Sequence, residues 1–230
     1  MLGIAVQLAL SWLILWLVEK KNLSVLGLYP TSSRMKALLI LFVAASVCSL
    51  FETGLRMQFF KERYQLNPLF NHKMLLEGFR WNLISVLYEE LIFRGALLYI
   101  LMKRWGPKPG MLFSAITFGI YHWFSYNLFG NVPGMIYTFI ITGCMGWVLA
   151  FAYVKTKSMY MAIAFHLGWN FTSGFIFSRG SAGSGVYVPV VQQPFVTVSY
   201  FISFVVAVLP FIVAVFCCYL LVLKINDRDS

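Results

Sequence analysis

Charged side chains are scarce in this sequence. They make up 11% of its 230 residues, whereas a typical soluble domain carries about a quarter. Hydrophobic residues make up 60%, and the mean hydropathy is +0.78. This composition excludes an ordinary soluble domain and indicates a multi-spanning membrane protein. The apolar runs also lack the alternation of apolar and polar residues that a membrane β-barrel needs. We therefore expect helical spans, in which each backbone polar group is satisfied within its own segment.

About seven apolar runs approach the roughly 20 residues that a helix needs to cross a membrane. These runs are Met1–Val18, Met35–Phe51, Trp81–Met102, Gly110–Tyr126, Pro133–Val154, Met159–Phe177 and Val196–Leu223. Internal repeats, heptad arrays and low-complexity tracts are absent. The sequence therefore predicts an all-α fold, a polytopic integral membrane helical bundle of about seven transmembrane helices. We expect one membrane domain over residues 1–230.

The net charge of +10 does not indicate a nucleic-acid partner, because the basic residues lie at the ends of the apolar runs, as the positive-inside rule expects. With the amino terminus outside, the inner connections hold 11 of them and the outer connections 6. The inner set is Lys20, Lys21, Arg34, Lys36, Lys103, Arg104, Lys108, Lys155, Lys157, Lys224 and Arg228. The outer set is Arg56, Lys61, Arg63, Lys73, Arg80 and Arg179. The first run has no basic residue before it and two behind it, which predicts a retained span rather than a cleaved signal peptide.

Two connections and the cysteines have less specific patterns. The segment Glu52–Arg80 mixes aromatic and charged residues, which predicts either a helix on the membrane surface or a solvated loop. The stretch Ser178–Gly185 is rich in Gly and Ser, which predicts a flexible outer connection, or else a segment that gates substrate entry. The four cysteines lie in apolar runs without C-x-x-C spacing, so we expect small buried side chains rather than a disulfide or a metal site.

Acidic residues are the scarcest charged type. The chain has eight, and Glu89 and Glu90 are the only two inside a predicted span. A charge near the bilayer centre costs about 3 kcal/mol, so such residues usually face a partner or a wet cavity. Glu90 and Arg94 are four residues apart and can pair on one helical face, whereas Glu89 points about 100° away around the axis. Glu89 is then free for chemistry. The alternative is a buried cluster that only holds helices together.

Two histidines and an amide accompany these carboxylates. His122 lies in the fourth run, and His166 and Asn170 lie four residues apart in the sixth, hence on one helical face. With a rise of 1.5 Å per residue, all these side chains come out about 10 to 20 Å from the inner ends of their runs. They can therefore meet in one layer, and we expect a site assembled in the core of the bundle from three helices.

This set of side chains is suited to hydrolysing an amide. A carboxylate in a medium of low dielectric is a better general base, imidazoles can bind zinc, and an asparagine amide can stabilise an oxyanion. The chain has neither a convincing Ser or Cys nucleophile nor an H-E-x-x-H motif. Two histidines and a carboxylate match the usual ligand count of zinc, so Glu89, His122 and His166 are candidate metal ligands. Direct activation of water without a metal is the alternative.

Three ordered motifs carry a resemblance to a known family. E-E-x-x-x-R (Glu89, Glu90, Arg94), F-x-x-x-H (Phe118, His122) and H-x-x-x-N (His166, Asn170) occur on successive apolar runs. This order resembles the CPBP family, the CAAX prenyl endopeptidases and their bacterial relatives, some of which are linked to bacteriocin processing or self-immunity. The resemblance covers about residues 82–173.

The resemblance implies an intramembrane endopeptidase of the bacterial cytoplasmic membrane that acts on a membrane-associated protein or peptide. Glu89 would activate the water with His122, while His166 and Asn170 would hold a metal or the oxyanion. Glu90 and Arg94 would support them. A non-proteolytic immunity or regulatory protein that keeps the site residues is a second hypothesis. A proton-coupled transporter is a third, although the inverted repeat common in transporters is absent.

Overall fold

The computed structural model describes residues 2–178, 185–193 and 196–225, and these ranges fold almost entirely as helices. The α-helices are α1 (Leu2–Glu19), α2 (Ser32–Phe59), α3 (His72–Phe93), α4 (Ala96–Trp105), α5 (Pro107–Ser125), α6 (Val132–Thr156), α7 (Met159–Phe171) and α8 (Tyr200–Lys224). A 3-10 helix covers Leu23–Leu26, and a π-helical turn, Thr172–Ile176, continues α7. Of the described helices, α1, α2, α6 and α8 are long and apolar enough to cross a membrane. The predicted all-α membrane bundle is confirmed.

The third predicted span is wrong in its continuity. The run Trp81–Met102 belongs to two helices, because α3 ends at Phe93 and α4 begins at Ala96. A side chain on Gly95 would place its Cβ 2.2 Å from the carbonyl oxygen of Leu91, so only glycine fits this turn. The break at Arg94 and Gly95 comes about one turn after Glu90.

The second predicted span and the segment after it also differ from expectation. The helix α2 runs from Ser32 to Phe59 rather than over Met35–Phe51. Consequently Glu52 lies inside a helix and is only 6% exposed, so the two site glutamates are not the only acidic residues in a long apolar helix. Within Glu52–Arg80 the structure has the end of α2, a short strand and the start of α3. It has no separate helix on the membrane surface in this fully described segment.

Contacts between connections define two ends of the bundle. At the end that we call the basic end, Glu19 pairs with Lys103 and Arg104, and the Tyr153 hydroxyl donates to the carbonyl of Val25. At the end that we call the strand end, β1 (Tyr64–Leu66) pairs antiparallel with β2 (Tyr187–Pro189). Residues 179–184, most of the predicted flexible connection, lie outside the described residues. The basic end thus carries connections that the charge count assigned to one side.

The core is centred on α7, which is buried along most of its length between α2, α3 and α6. Gly168 permits the close approach of α2, since a Cβ there would lie 2.3 Å from the carbonyl oxygen of Phe42. All four cysteines are free, and Cys48 and Cys218 are buried as predicted. The prediction is wrong for Cys144, which is exposed on the outer surface of α6. The packing of α2, α3 and α6 around α7 holds the site residues His166 and Asn170 from three directions.

Candidate active site

The residues singled out from the sequence come together in the bundle core. Glu89 and Glu90 lie on the last turn of α3, His122 near the end of α5, and His166 on α7. Both histidines are 6% exposed. Asn170, one turn beyond His166, lines the same cavity as Glu89 and both imidazoles. Three helices thus build one site in the core of the bundle, as predicted.

Glu90 and Arg94 form a completely buried pair with neither side chain exposed. Arg94 Nη1 lies 3.1 Å from Glu90 Oε1, and Arg94 Nη2 donates to the carbonyl oxygen of Gly146, 3.0 Å away. The guanidinium also lies over the ring of Phe118, with Cζ 4.2 Å from the ring centroid. A buried charge needs this much compensation, because an unpaired ion loses all of its hydration energy. This pair ties α3 to α5 and α6.

His166 connects the buried pair to the cavity. Its Nδ1 lies 2.7 Å from Glu90 Oε1, and because a carboxylate accepts, Nδ1 carries the hydrogen of this bond. The other ring nitrogen, Nε2, then faces Glu89 and lies 3.7 Å from its Oε2. A carboxylate behind an imidazole fixes the tautomer and the ring orientation. Glu90 therefore orients His166 as well as pairing with Arg94.

His122 is oriented in the same way by the backbone. Its Nδ1 lies 2.8 Å from the carbonyl oxygen of Phe118, which can only accept, so Nδ1 is the protonated nitrogen. Nε2 points towards Glu89 and lies 4.0 Å from its Oε2. The Phe118 ring stands edge-on to both imidazoles, with centroid distances of 4.6 Å to His122 and 5.9 Å to His166. Phe118 thus serves as the shared wall between the two histidines.

Of the two site glutamates, each of which has a buried oxygen without a hydrogen-bond partner in the described residues, only Glu89 lines the cavity. Its side chain is 12% exposed, and its Oε2 is buried without a hydrogen-bond partner in the described part of the chain. This oxygen is the atom that both Nε2 nitrogens face. Buried polar atoms are nearly always satisfied, so this atom indicates a place where water or a reacting group belongs.

Glu89 borders a cavity of about 470 Å³ that extends towards the strand end. Its lining includes Trp81 and Asn82, which precede Glu89 in α3, and Tyr126, which follows α5. No Lys or Arg is found among the described residues that line it. The cavity can therefore hold an uncharged, partly apolar chain beside the carboxylate.

The sequence did not reveal all of this. The bond between His166 and Glu90 joins residues 76 positions apart, and the acceptor at Gly146 is a backbone atom that no motif marks. The cavity walls at Tyr126 and Tyr137 were also missed. For Tyr126 the sequence holds one signal, because this residue lies four positions after His122 and so on the same helical side. Tyr137 has no such signal.

The separations around Glu89 are wider than those between direct zinc ligands. Ligands at about 2.0–2.1 Å from a tetrahedral ion lie roughly 3.3 Å apart, whereas the two N–O separations are 3.7 and 4.0 Å. Across residues 2–178, 185–193 and 196–225, no group of three or more His, Cys, Asp or Glu side chains is arranged to hold a metal ion. A water molecule at about 2.8 Å from each atom fits the separations better.

Comparison with known proteins bears on the same part of the chain. Residues 71–172 match the protein family described as type II CAAX prenyl endopeptidase Rce1-like. This match supports membership of the CPBP family. The matched segment holds α3 to α7 with all the site residues named above, so the predicted family resemblance is confirmed. Neither the curated proteins nor the solved structures gave a significant match to the chain. The match thus covers the site, while α1, α2 and α8 lie outside the matched residues.

Proposed function

We propose that the protein is an intramembrane endopeptidase in which Glu89 activates a water molecule for attack on a peptide bond. The observation that carries this proposal is the unpartnered Oε2 of Glu89, a residue that lines the cavity, facing the Nε2 atoms of His122 and His166. Membership of the CPBP family supports it at the level of the family. The substrate is a membrane-associated protein or peptide whose residues near the cleaved bond are uncharged, as the cavity lining favours.

The reaction needs one base, one orienting acceptor and one oxyanion donor. The water donates one hydrogen to Glu89 and the other to His122 Nε2, which has no hydrogen of its own when Nδ1 donates to Phe118. As the water oxygen attacks the carbonyl carbon, Glu89 takes its proton and later delivers it to the amine that leaves. The Asn170 amide and His166 stabilise the oxyanion. Glu90 contacts both Arg94 and His166 and holds the His166 ring in place.

We propose that this chemistry proceeds without a resident zinc ion, because the separations suit a water molecule better than direct ligands. Purified, active protein would be washed with a strong chelator and its metal content measured by elemental analysis. We expect full activity without stoichiometric metal. Loss of activity that zinc restores would refute the metal-free mechanism and assign Glu89, His122 and His166 as ligands. His122→Ala and His166→Ala would then lose metal along with activity.

The proteolytic activity itself is tested by looking for new peptide ends. Membranes of cells that produce the wild-type protein or Glu89→Gln would be compared by mass spectrometry of protein termini. We expect a set of termini that depends on Glu89. If the two samples are indistinguishable although both proteins accumulate, the non-proteolytic hypothesis replaces this one.

We propose that the chain lies in a bacterial cytoplasmic membrane with its amino terminus outside and the basic end in the cytoplasm. The count of 11 basic residues against 6 supports this orientation. Single cysteines at Lys108 and Gln193, in a cysteine-free background, would be labelled in intact cells with an impermeant thiol reagent. We expect labelling at position 193 only. The cavity would then extend towards the outer side, and labelling at position 108 alone would reverse this assignment.

A further inference from the structure

A second recess meets the site from the other side of α3. This groove has a volume of about 280 Å³ and lies between α3 and α5. Its lining consists of Trp81, Ile84, Ser85, Tyr88, Glu89, Ile92 and Tyr121. Glu89 is the one charged residue in this lining, and the rest is aromatic or aliphatic apart from one serine. The mechanism above does not use the groove.

The groove and the cavity share one stripe of α3. Trp81, Ser85 and Glu89 line both recesses, and their spacing of four residues places them on one helical face. The stripe is therefore a ridge with a recess on each side. Glu89, at the end of this ridge, lines both recesses. A cavity closed at Glu89 would border this residue on one side only.

The remaining walls of the groove are held in place by packing. Tyr121 on α5 contacts Phe93, with ring centroids 5.4 Å apart. The Tyr88 hydroxyl lies against α1 where Gly3 has no side chain, since a Cβ there would come 1.2 Å from that oxygen. The outer rim is open, because Trp81 is 70% and Ile92 43% exposed. The groove thus has a fixed aromatic floor and an entrance on the apolar outer surface.

We propose that this groove is a specificity subsite that binds a bulky apolar side chain of the substrate next to the cleaved bond. The inference rests on the proposed function. A peptide attacked at Glu89 must continue in both directions from its carbonyl carbon, and an extended chain rises only about 3.3 Å per residue. One direction leads into the large cavity. The groove, which is continuous with the same carboxylate, holds the neighbouring residue on the other side. Its lining favours leucine, isoleucine or phenylalanine and disfavours charged residues.

The test uses a peptide library derived from a proteome, incubated with the detergent-purified full chain, with cleavage sites read by mass spectrometry. Ile92→Trp should fill the groove, and Ile92→Ala should enlarge it. The matched control is Ile140→Trp on α6, where the isoleucine is 54% exposed and does not line either recess. Removing one apolar contact typically changes selectivity by about 10-fold or more.

We expect wild-type protein to prefer a bulky apolar residue at one position beside the cleaved bond. Ile92→Trp should shift that position towards small residues by about tenfold without changing preferences on the other side, and Ile92→Ala should broaden it. Unchanged preferences in both variants, with cleavage that still requires Glu89, would overturn the subsite and assign the groove to lipid chains. Absence of any cleavage that requires Glu89 would overturn the proposed function as well.

Discussion

Glu89 and Glu90 are neighbours in the chain but have opposite surroundings. Glu90 is completely buried and contacts both Arg94 and His166. Each carboxylate keeps one oxygen without a partner in the described residues, but only Glu89 borders the two recesses. Their side chains diverge because successive residues of a helix point about 100° apart. One turn of α3 therefore supplies a structural carboxylate and a reactive one.

The difference shows how a membrane bundle can hold a reactive carboxylate in place. The charge of Glu90 holds helices together, because its partner Arg94 bonds to α6 and its partner His166 lies on α7. That network leaves the adjacent Glu89 with little freedom and with two imidazoles aimed at it. Substitutions on the two sides should therefore separate activity from stability.

The largest effect is expected for Glu89→Gln. The amide keeps the shape of the side chain but cannot accept a proton, so turnover should fall by about 10³-fold or more. The midpoint of thermal unfolding in detergent should stay near that of the wild type, because Glu89 makes no buried ion pair with an arginine. Peptide cleavage and thermal unfolding would be measured on the same preparations. Substantial activity in this variant would reject Glu89 as the base.

On the Glu90 side, loss of stability should dominate. Glu90→Gln or Arg94→Ala leaves its former partner as an uncompensated buried charge, which typically costs about 3–5 kcal/mol. We expect low accumulation and a lower unfolding midpoint. Arg80→Ala is the control, because this arginine is exposed and its loss should change stability by less than about 0.5 kcal/mol. A stable but inactive Glu90→Gln protein would erase the proposed distinction between the two glutamates.

The sequence predicted most of this site because its chemistry is carried by rare residues. Charged and imidazole side chains stand out in apolar runs, and helical spacing alone separates Glu89 from Glu90. The break at Gly95 was missed because apolar helix formers continue on both sides, so one glycine was the only signal. It also undermines the depth estimate for Glu89, which assumed an unbroken helix to Met102. Contacts such as His166 with Glu90 depend on how helices pack against each other, which no single segment encodes.

A smaller effect on activity is expected for Asn170→Ala. An oxyanion donor typically contributes about 3 kcal/mol to the transition state, so turnover should fall by roughly 10²-fold with unchanged metal content. Asn170→Asp is the matched variant, because it keeps the shape but removes the amide donor, and it should lose at least as much activity. Peptide turnover under single-turnover conditions is the measurement. An active Asn170→Asp protein would remove Asn170 from the oxyanion site.

The smallest effect concerns the turn that separates the two environments. Gly95→Ala would place a Cβ 2.2 Å from the carbonyl oxygen of Leu91, so the backbone must shift, at a cost of about 1–3 kcal/mol. Gly54→Ala on α2 is the matched control, since a Cβ there meets nothing within 4 Å. An alanine in a helix interior is favoured over glycine by about 0.5–1 kcal/mol, so the control should be slightly more stable than the wild type. If the turn requires glycine, the midpoint of thermal unfolding should fall in Gly95→Ala and rise slightly in Gly54→Ala. Equal stability of the two variants would mean that the α3–α4 break adjusts freely. The fixed orientations of Glu89 and Glu90 would then need another cause.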